Sequence, residues 1–440
     1  MFKSIFTNSS GILFSRILGF IRDLLSASIL GANIYSDIFF VAFKLPNLFR
    51  RIFAEGAFMQ SFLPAFSISK RKPSFAYNTL KKFFIIILTL SLIVTIFAPY
   101  ITDILAFGFS KEAKEIAAPL IAINFYYLDF IFLVTFLASL LQYKNHFATT
   151  AFSTALLNIS LIIALLLSYN KPPLSIIYYM SIGVIMGGIL QLIAHFIASH
   201  KYKLDKLLLI GCNSKKKDKE AQKKFNKAFL PSIFGNSTAH ISAFLDTWLA
   251  TFLVSGSISY LYYANRLFQL PLALFAIATS IVVFPKLSKF LNNNQEKEAF
   301  FIMKKGFWFL FGLLSISTII GVFGAEFIIK LLFERGAFTH EDTINSAFVL
   351  QMYMIGLLPF GLVKIFSSYL YSTHKHLKAA KISAISLGFN IILSLLLIYP
   401  LKAAGLALAS SLTGFILFFL TIKEFGFSNF KNVIFFKLSN

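Results

Sequence analysis

Cysteine is almost absent: Cys212 stands alone in 440 residues. No intrachain disulfide and no cysteine-built zinc site is available. Charge is scarce too, at 13% of residues against about 25% in a soluble domain. Acids are scarcer than bases, 18 against 41, which leaves a net charge of +23. Catalytic signatures are missing: there is no His-Glu-x-x-His, no phosphate-loop glycine pattern and no Gly-x-Ser-x-Gly. What is abundant is apolar surface, 57% of the chain, with 55 phenylalanines. No soluble core hides that much. The composition excludes a soluble enzyme, a disordered tail and a fibrous protein. The positive balance alone would suit nucleic acid, but aromatic-rich apolar runs rather than basic patches fill the chain. The expectation is a polytopic helical membrane protein, not an enzyme, with no cofactor and no nucleic-acid partner. The apolar stretch near the N-terminus contains Arg16, Arg22 and Asp23, which a cleaved signal would exclude.

A span needs about 20 apolar residues to cross about 30 Å of hydrocarbon. Twelve candidates occur, at 5–31, 34–66, 79–107, 116–142, 150–169, 174–197, 228–254, 258–286, 301–323, 344–371, 379–399 and 403–422. The segment 199–227, with ten lysines and three acids, separates two sets of six. The predicted organisation is an N-terminal six-helix lobe over 1–198, a basic cytoplasmic linker over 199–227 and a C-terminal six-helix lobe over 228–440. Loops on the side of the N-terminus hold 28 Lys and Arg, and the opposite loops hold six. That bias predicts both termini in the cytoplasm.

Seven cations fall inside spans: Arg16, Arg22, Lys44, Arg50, Arg51, Arg266 and Lys364. Five acids join them: Asp23, Asp37, Glu55, Asp129 and Asp246. Facing lipid, twelve such residues would cost roughly 30–40 kcal/mol. They must face one another or water, so the two lobes are expected to enclose a hydrated, net cationic central cavity.

The halves repeat. Gly31 and Phe43-Lys44-Leu45-Pro46 match Gly256 and Phe268-Gln269-Leu270-Pro271. Pro64-Ala65-Phe66-Ser67 matches Pro285-Lys286-Leu287-Ser288. Phe107-Gly108-Phe109-Ser110 resembles Gly336-Ala337-Phe338-Thr339, and Leu157-Asn158-Ile159 resembles Phe389-Asn390-Ile391. Six spans per repeat is an even number, so the repeats insert with one orientation, as parallel repeats about the membrane normal.

Span 2 carries the densest charge. Asp37, Lys44 and Arg51 recur every seven residues on one helical face, with Glu55 a turn beyond. Span 1 brings Arg16 and Arg22, and span 8 brings Arg266. Guanidinium groups offer forked donors to phosphate and stay charged when desolvated. Arg16, Arg22, Arg50 and Arg266, with Lys44, are therefore candidate substrate-binding residues. Asp23, Asp37 and Glu55 are candidate supporting acids, Glu55 pairing with Arg51 at i,i+4. Lys364 and Asp129 suit pairing within the bundle. Asp246, the single acid of span 7, suits a proton or a small cation such as sodium. Asn390 and Ser410 can add neutral oxygens to it. The bland alternative for Asp246 is a helix-packing acid. Gly183, Gly187 and Gly188 suit close helix contacts.

Two stretches carry a resemblance. Ser15-Arg16-Ile17-Leu18-Gly19-Phe20-Ile21-Arg22-Asp23 and the run Asp37 to Phe58, with Lys44-Leu45-Pro46-Asn47-Leu48-Phe49-Arg50-Arg51 at its centre, resemble the MurJ (MviN) lipid II flippase family. Tyr263-Ala264-Asn265-Arg266-Leu267 and Phe333-Glu334-Arg335-Gly336-Ala337-Phe338-Thr339 agree. The resemblance implies a MATE-like fold of the multidrug/oligosaccharidyl-lipid/polysaccharide exporter superfamily. It implies transport of the undecaprenyl-diphosphate-linked peptidoglycan precursor, lipid II, across the bacterial inner membrane by a multi-pass protein among membrane lipids, expected to work as a monomer. The family's cavity arginines fall on Arg16, Arg22, Arg50 and Arg266, and its acidic partners on Asp23 and Asp37. Its sodium site falls on Asp246, Asn390 and Ser410, with Ser394 where a further carboxylate stands. The family usually has fourteen spans, against twelve here. The rival readings are a multidrug or polysaccharide-lipid exporter of the same fold, which for drugs calls for an acid-lined cavity, and a membrane enzyme acting on polyprenyl phosphate.

Overall fold

A computed structural model of the chain describes residues 2–51, 57–214 and 216–435. Those residues are helical and contain no strand. Eight helices among them are long and apolar enough to cross a membrane. One of the eight, His376–Phe425, holds two spans: Pro400 interrupts it and Lys402 adopts φ +51°. Of the three remaining expected spans, 5–31 and 34–66 carry several charges, and 228–254 carries Asp246 among Ser, Asn, Thr and His residues, which is why hydropathy undervalues them. The twelve expected spans fall on helices wherever their residues are described; residues 52–56 of the second span lie outside that description. The chain divides into two compact units, one of Met1–Phe252 with Arg335–Phe338, the other of Leu253–Glu334 with Thr339–Asn440.

The first unit contains α1 (Phe2–Leu30), α2 (Ile34–Phe49), α3 (Met59–Ile68), α4 (Lys72–Ile96), α5 (Ala98–Leu105), α6 (Lys111–Phe125), α7 (Tyr127–Tyr143), α8 (Ala148–Leu167), α9 (Pro173–Lys201), α10 (Leu204–Cys212) and α11 (Lys219–Ala250). The second contains α12 (Ser257–Pro271), a π-helix (Leu272–Ile277), α13 (Ala278–Asn292), α14 (Glu296–Phe323), α15 (Ala325–Phe333), α16 (His340–Ile355), α17 (Leu357–Ser372), α18 (His376–Phe425) and α19 (Phe427–Phe435).

The repeat is visible in the interruptions. Gly31 and Gly256 both adopt left-handed φ, +76° and +91°, at the turns that lead into α2 and α12. A side chain is disfavoured there, so glycine is required. Pro46 and Pro271 are each followed by π-helical backbone, at Arg50–Arg51 and at Leu272–Ile277. Proline has no N–H to donate, and the turn after it widens. Ser110 caps α6 and Thr339 caps α16, each accepting the N–H of the third residue onward. The spans that follow both break mid-course, at Tyr126 and at Gly356.

Small residues set the closest approaches. A Cβ on Gly11 would lie 2.7 Å from Ala151, one on Gly187 2.7 Å from Leu157, and one on Gly183 2.9 Å from Ala164. Thus α1, α8 and α9 meet backbone to backbone, as dispersion-driven packing in lipid favours. The Ser160 hydroxyl donates to the Gly183 carbonyl at 2.7 Å across the same seam.

The 199–227 segment is largely helical, through the end of α9, through α10 and the start of α11. The contact boundary lies at Phe252, beyond the 228 boundary drawn from hydropathy, because both ends of α11 are fastened within the first unit. Phe225 and Phe229 enter a phenylalanine cluster with Phe58, Phe62, Phe75 and Phe83, with ring centroids 5.1–6.5 Å apart. At the other end Trp248 Nε1 donates to the Ile104 carbonyl at 2.7 Å. Phe225 is fully buried. Phe225→Ala is expected to destabilise the protein by about 3 kcal/mol, read as a lower thermal unfolding midpoint in detergent. Phe323→Ala, at a ring 85% exposed on the outer surface, should leave that midpoint in place.

Candidate functional site: the intramembrane charges

Arg22 is the most enclosed of the predicted cations, 9% exposed. Its Nε and Nη2 donate to Asp23 Oδ1 at 3.1 and 2.6 Å, and its Nη1 donates to Asn158 Oδ1 at 3.0 Å. Asn158 in turn donates from Nδ2 to the Ser15 carbonyl at 2.9 Å. The Asn158 side chain of α8 therefore bridges two turns of α1. Gly19 lies beside it: a Cβ there would be in ordinary van der Waals contact, 3.4 Å from Asn158 Nδ2. Helix α1 runs unbroken through Gly19, so that glycine does not mark a bend.

The other cations are less enclosed. Arg16 lies exposed on α1. Arg50, half-buried, folds back on its own helix, with Nε and Nη2 donating to Asn47 Oδ1 at 3.1 and 2.8 Å. Arg266 belongs to the second unit, where Nη2 donates to the Tyr262 hydroxyl at 3.2 Å and the guanidinium lies 5.4 Å from that ring's centroid. Lys44, half-buried on α2, has the charges of Asp246 and Arg51 as its nearest electrostatic neighbours. Asp37 is buried in the first turn of α2, behind a capping box formed by Asn33 and Ser36. Glu55 lies outside the described residues.

Asp246 is thus not isolated: it sits on α11 within the field of Lys44. Asn390 and Ser410 do meet, across the two halves of α18, with Nδ2 and Oγ 3.5 Å apart. Ser394 is buried close by in sequence. This α18 set offers neutral oxygens and no carboxylate, and Asp246 belongs to the first unit. Among the described residues no group of three His, Cys, Asp or Glu side chains is positioned to hold a metal. Asp129 has its own partner, accepting from Ser91 at 2.6 Å within the first unit, while Lys364 lies in the second.

Three polar partners escaped functional assignment in the sequence. Asn158 appeared only as a repeat match with Asn390, Asn47 as one residue of a motif, and Tyr262 not at all. Asp342 is a fourth: it caps α16 with Thr339 and accepts the Tyr260 hydroxyl at 3.0 Å. The Thr-x-x-Asp spacing was the available signal.

The geometry separates structural from exposed arginines. Arg22→Ala leaves Asp23 buried without its guanidinium and is expected to cost about 3–5 kcal/mol. Asn158→Ala, removing a hydrogen bond to a charged group, should cost about 1–3 kcal/mol. Arg16→Ala should stay within about 0.5 kcal/mol of the parent protein. Thermal unfolding in detergent orders the three; equal effects at Arg16 and Arg22 would contradict the assignment.

Comparison with known proteins places this arrangement. The family model for the lipid II flippase MurJ matches residues 26–439. A Helicobacter pylori protein (strain 26695), named a probable lipid II flippase MurJ, is 49% identical over 420 residues, covering 93% of this chain and 91% of its own. A counterpart of the same name from Buchnera aphidicola of Schizaphis graminum is 36% identical over 443 residues, covering 98% and 84%. A solved lipid II flippase MurJ in an inward closed conformation superposes with a TM-score of 0.80 at 28% identity, covering 97% of this chain and 90% of its own. An inward-facing multidrug MATE transporter shares the fold alone, with a TM-score of 0.70 at 14% identity. The chain belongs to the MurJ family of lipid II flippases.

Proposed function

We infer that this protein moves lipid II, the undecaprenyl-diphosphate-linked peptidoglycan precursor, from the cytoplasmic to the periplasmic leaflet of the bacterial inner membrane. The observation that carries the reading is 49% identity along 93% of the chain to a flippase of that name. The loop charge bias supports cytoplasmic termini. In this reading the two lobes rock about a central cationic cavity in alternating access, and the protein acts as a monomer.

The physical task is to carry a diphosphate headgroup past hydrocarbon while the polyprenyl tail stays in lipid. Arg16, Arg50, Arg266 and Lys44 serve as the phosphate-facing cations. Arg50 donates to Asn47 and Arg266 to the Tyr262 hydroxyl, neutral oxygens whose place an anion can take. Arg22, held by Asp23 and Asn158, positions α1 against α8 rather than gripping substrate. Asp23 and Asp37 support from buried positions. The π-helical turns after Pro46 and Pro271 supply the places where α2 and α12 change curvature.

Rescue of cells depleted of their own lipid II flippase tests the reading. The parent protein should restore growth, while Arg50→Ala and Arg266→Ala should abolish rescue with normal membrane insertion. Arg266→Lys should also impair it, since the planar fork is lost. A correctly inserted parent protein that fails to rescue would overturn the proposal.

Ion coupling, where it operates, runs in this reading through Asp246. Its charge acts on Lys44, so a sodium ion or proton taken up there competes with that ammonium. A ligand shifts the lobe equilibrium only through differential affinity for the two states. Asp246→Asn should flatten the dependence of transport on sodium concentration or on pH. Unchanged dependence on both would leave Asp246 with a packing role.

A further inference from the structure

A groove of about 580 Å³ opens at the basic end of the first unit, between the starts of α4 and α11. Four lysines rim it: Lys217, Lys219, Lys223 and Lys227. The last three recur every fourth residue, so they share one face of α11. All four are exposed, and among the described residues none of them has an ion-pair partner. The neutral amides of Asn78 and Asn226 stand among them, and the buried Phe75 lies beneath.

One acid borders the groove, and it is already engaged. Asp218 accepts the Ser69 hydroxyl at 2.7 Å and the Arg71 N–H at 3.3 Å through Oδ2, and caps α11 by accepting the Ala221 N–H at 3.1 Å through Oδ1. The Ser69 hydroxyl, with these backbone N–H groups, holds its carboxyl below the usual carboxylate range. The groove therefore keeps an excess of three positive charges at neutral pH.

Its depth identifies the medium it meets. On α4 the apolar run starts at Phe83, so Asn78 lies about 7 Å to the basic side at 1.5 Å per residue. That is the thickness of the headgroup layer flanking the hydrocarbon. Lysine clusters at this level attract anionic lipids, and basic pockets beside membrane helices hold their headgroups.

We propose that this groove binds the phosphate headgroup of an anionic glycerophospholipid, with Lys219, Lys223 and Lys227 as its cationic contacts. The site lies apart from the intramembrane arginines and does not depend on the transport reading. An acidic soluble protein is the competing occupant. The depth of the groove, level with the headgroup layer, favours a lipid.

Binding of a short-chain fluorescent phosphatidylglycerol to the full chain in neutral detergent tests the assignment. The parent protein should bind it at least about tenfold more tightly than phosphatidylcholine with the same acyl chains. The Lys219→Gln/Lys223→Gln/Lys227→Gln variant should lose at least about tenfold, given about 1 kcal/mol per lysine near an anionic surface. The variant Lys286→Gln/Lys289→Gln/Lys297→Gln, with the same change of charge in the second unit, should bind like the parent. Equal losses in both variants, or none in either, would overturn the site. Displacement by millimolar inorganic phosphate as effective as by the lipid itself would assign the groove to free phosphate instead. Unaltered lipid binding by the first variant together with lost growth would assign it to a soluble acidic partner. The phosphatidylcholine comparison needs no variant, so the proposal stays open to refutation even if substitution disturbs folding.

Discussion

A charge inside a bilayer must find a partner, and this constraint shapes the first unit. Burying Arg22 demands an acid and an amide. Asp23 supplies the acid from the next position along α1, and Asn158 supplies the amide from α8. That requirement brings α8 against α1 and recruits the Ser15 carbonyl. Position 11 is glycine because the same two helices meet there. A bundle of leucines alone would have no reason to choose this register, since lipid tails are as apolar as the helix faces.

The second constraint is that the helices must bend without leaving backbone groups unmet in hydrocarbon. Proline followed by a π-helical turn solves this in α2 and again after α12, and a mid-span break solves it at Tyr126 and at Gly356. These interruptions occupy corresponding places in the two repeats. Arg50 emerges at the first of the π-helical turns, which couples local curvature to the placement of a cation.

The fold was highly legible in the sequence because each span must be apolar over a bilayer's thickness and each turn must carry its glycine, proline or cap. Gly31, Gly256, Pro46, Pro271, Ser110 and Thr339 all stand in the sequence repeat. The partition of α11 was not legible. Hydropathy starts a new lobe at 228, but Phe225 and Phe229 face rings from α3 and α4, and ring-to-ring packing leaves no periodic mark in a chain so rich in phenylalanine. The site was legible in part. Intramembrane arginines announce themselves by their cost, whereas the neutral partners that hold them, Asn158, Asn47 and Tyr262, look like ordinary polar residues. Asp246 looked solitary because Lys44, on whose charge it acts, lies about two hundred residues earlier in the chain.

The central claim is that intramembrane cations carry an anionic lipid-linked headgroup across the bilayer. Purified protein in proteoliposomes, loaded with lipid II bearing a fluorescent peptide, tests it most directly through the fraction of label that becomes accessible to a membrane-impermeant quencher on the opposite face. The account predicts that the parent protein raises this fraction well above protein-free vesicles, and that replacing both Arg50 and Arg266 by alanine returns it to the protein-free level. Movement that persists in the doubly substituted protein, or a parent protein that translocates a lipophilic cation in preference to lipid II, would contradict it.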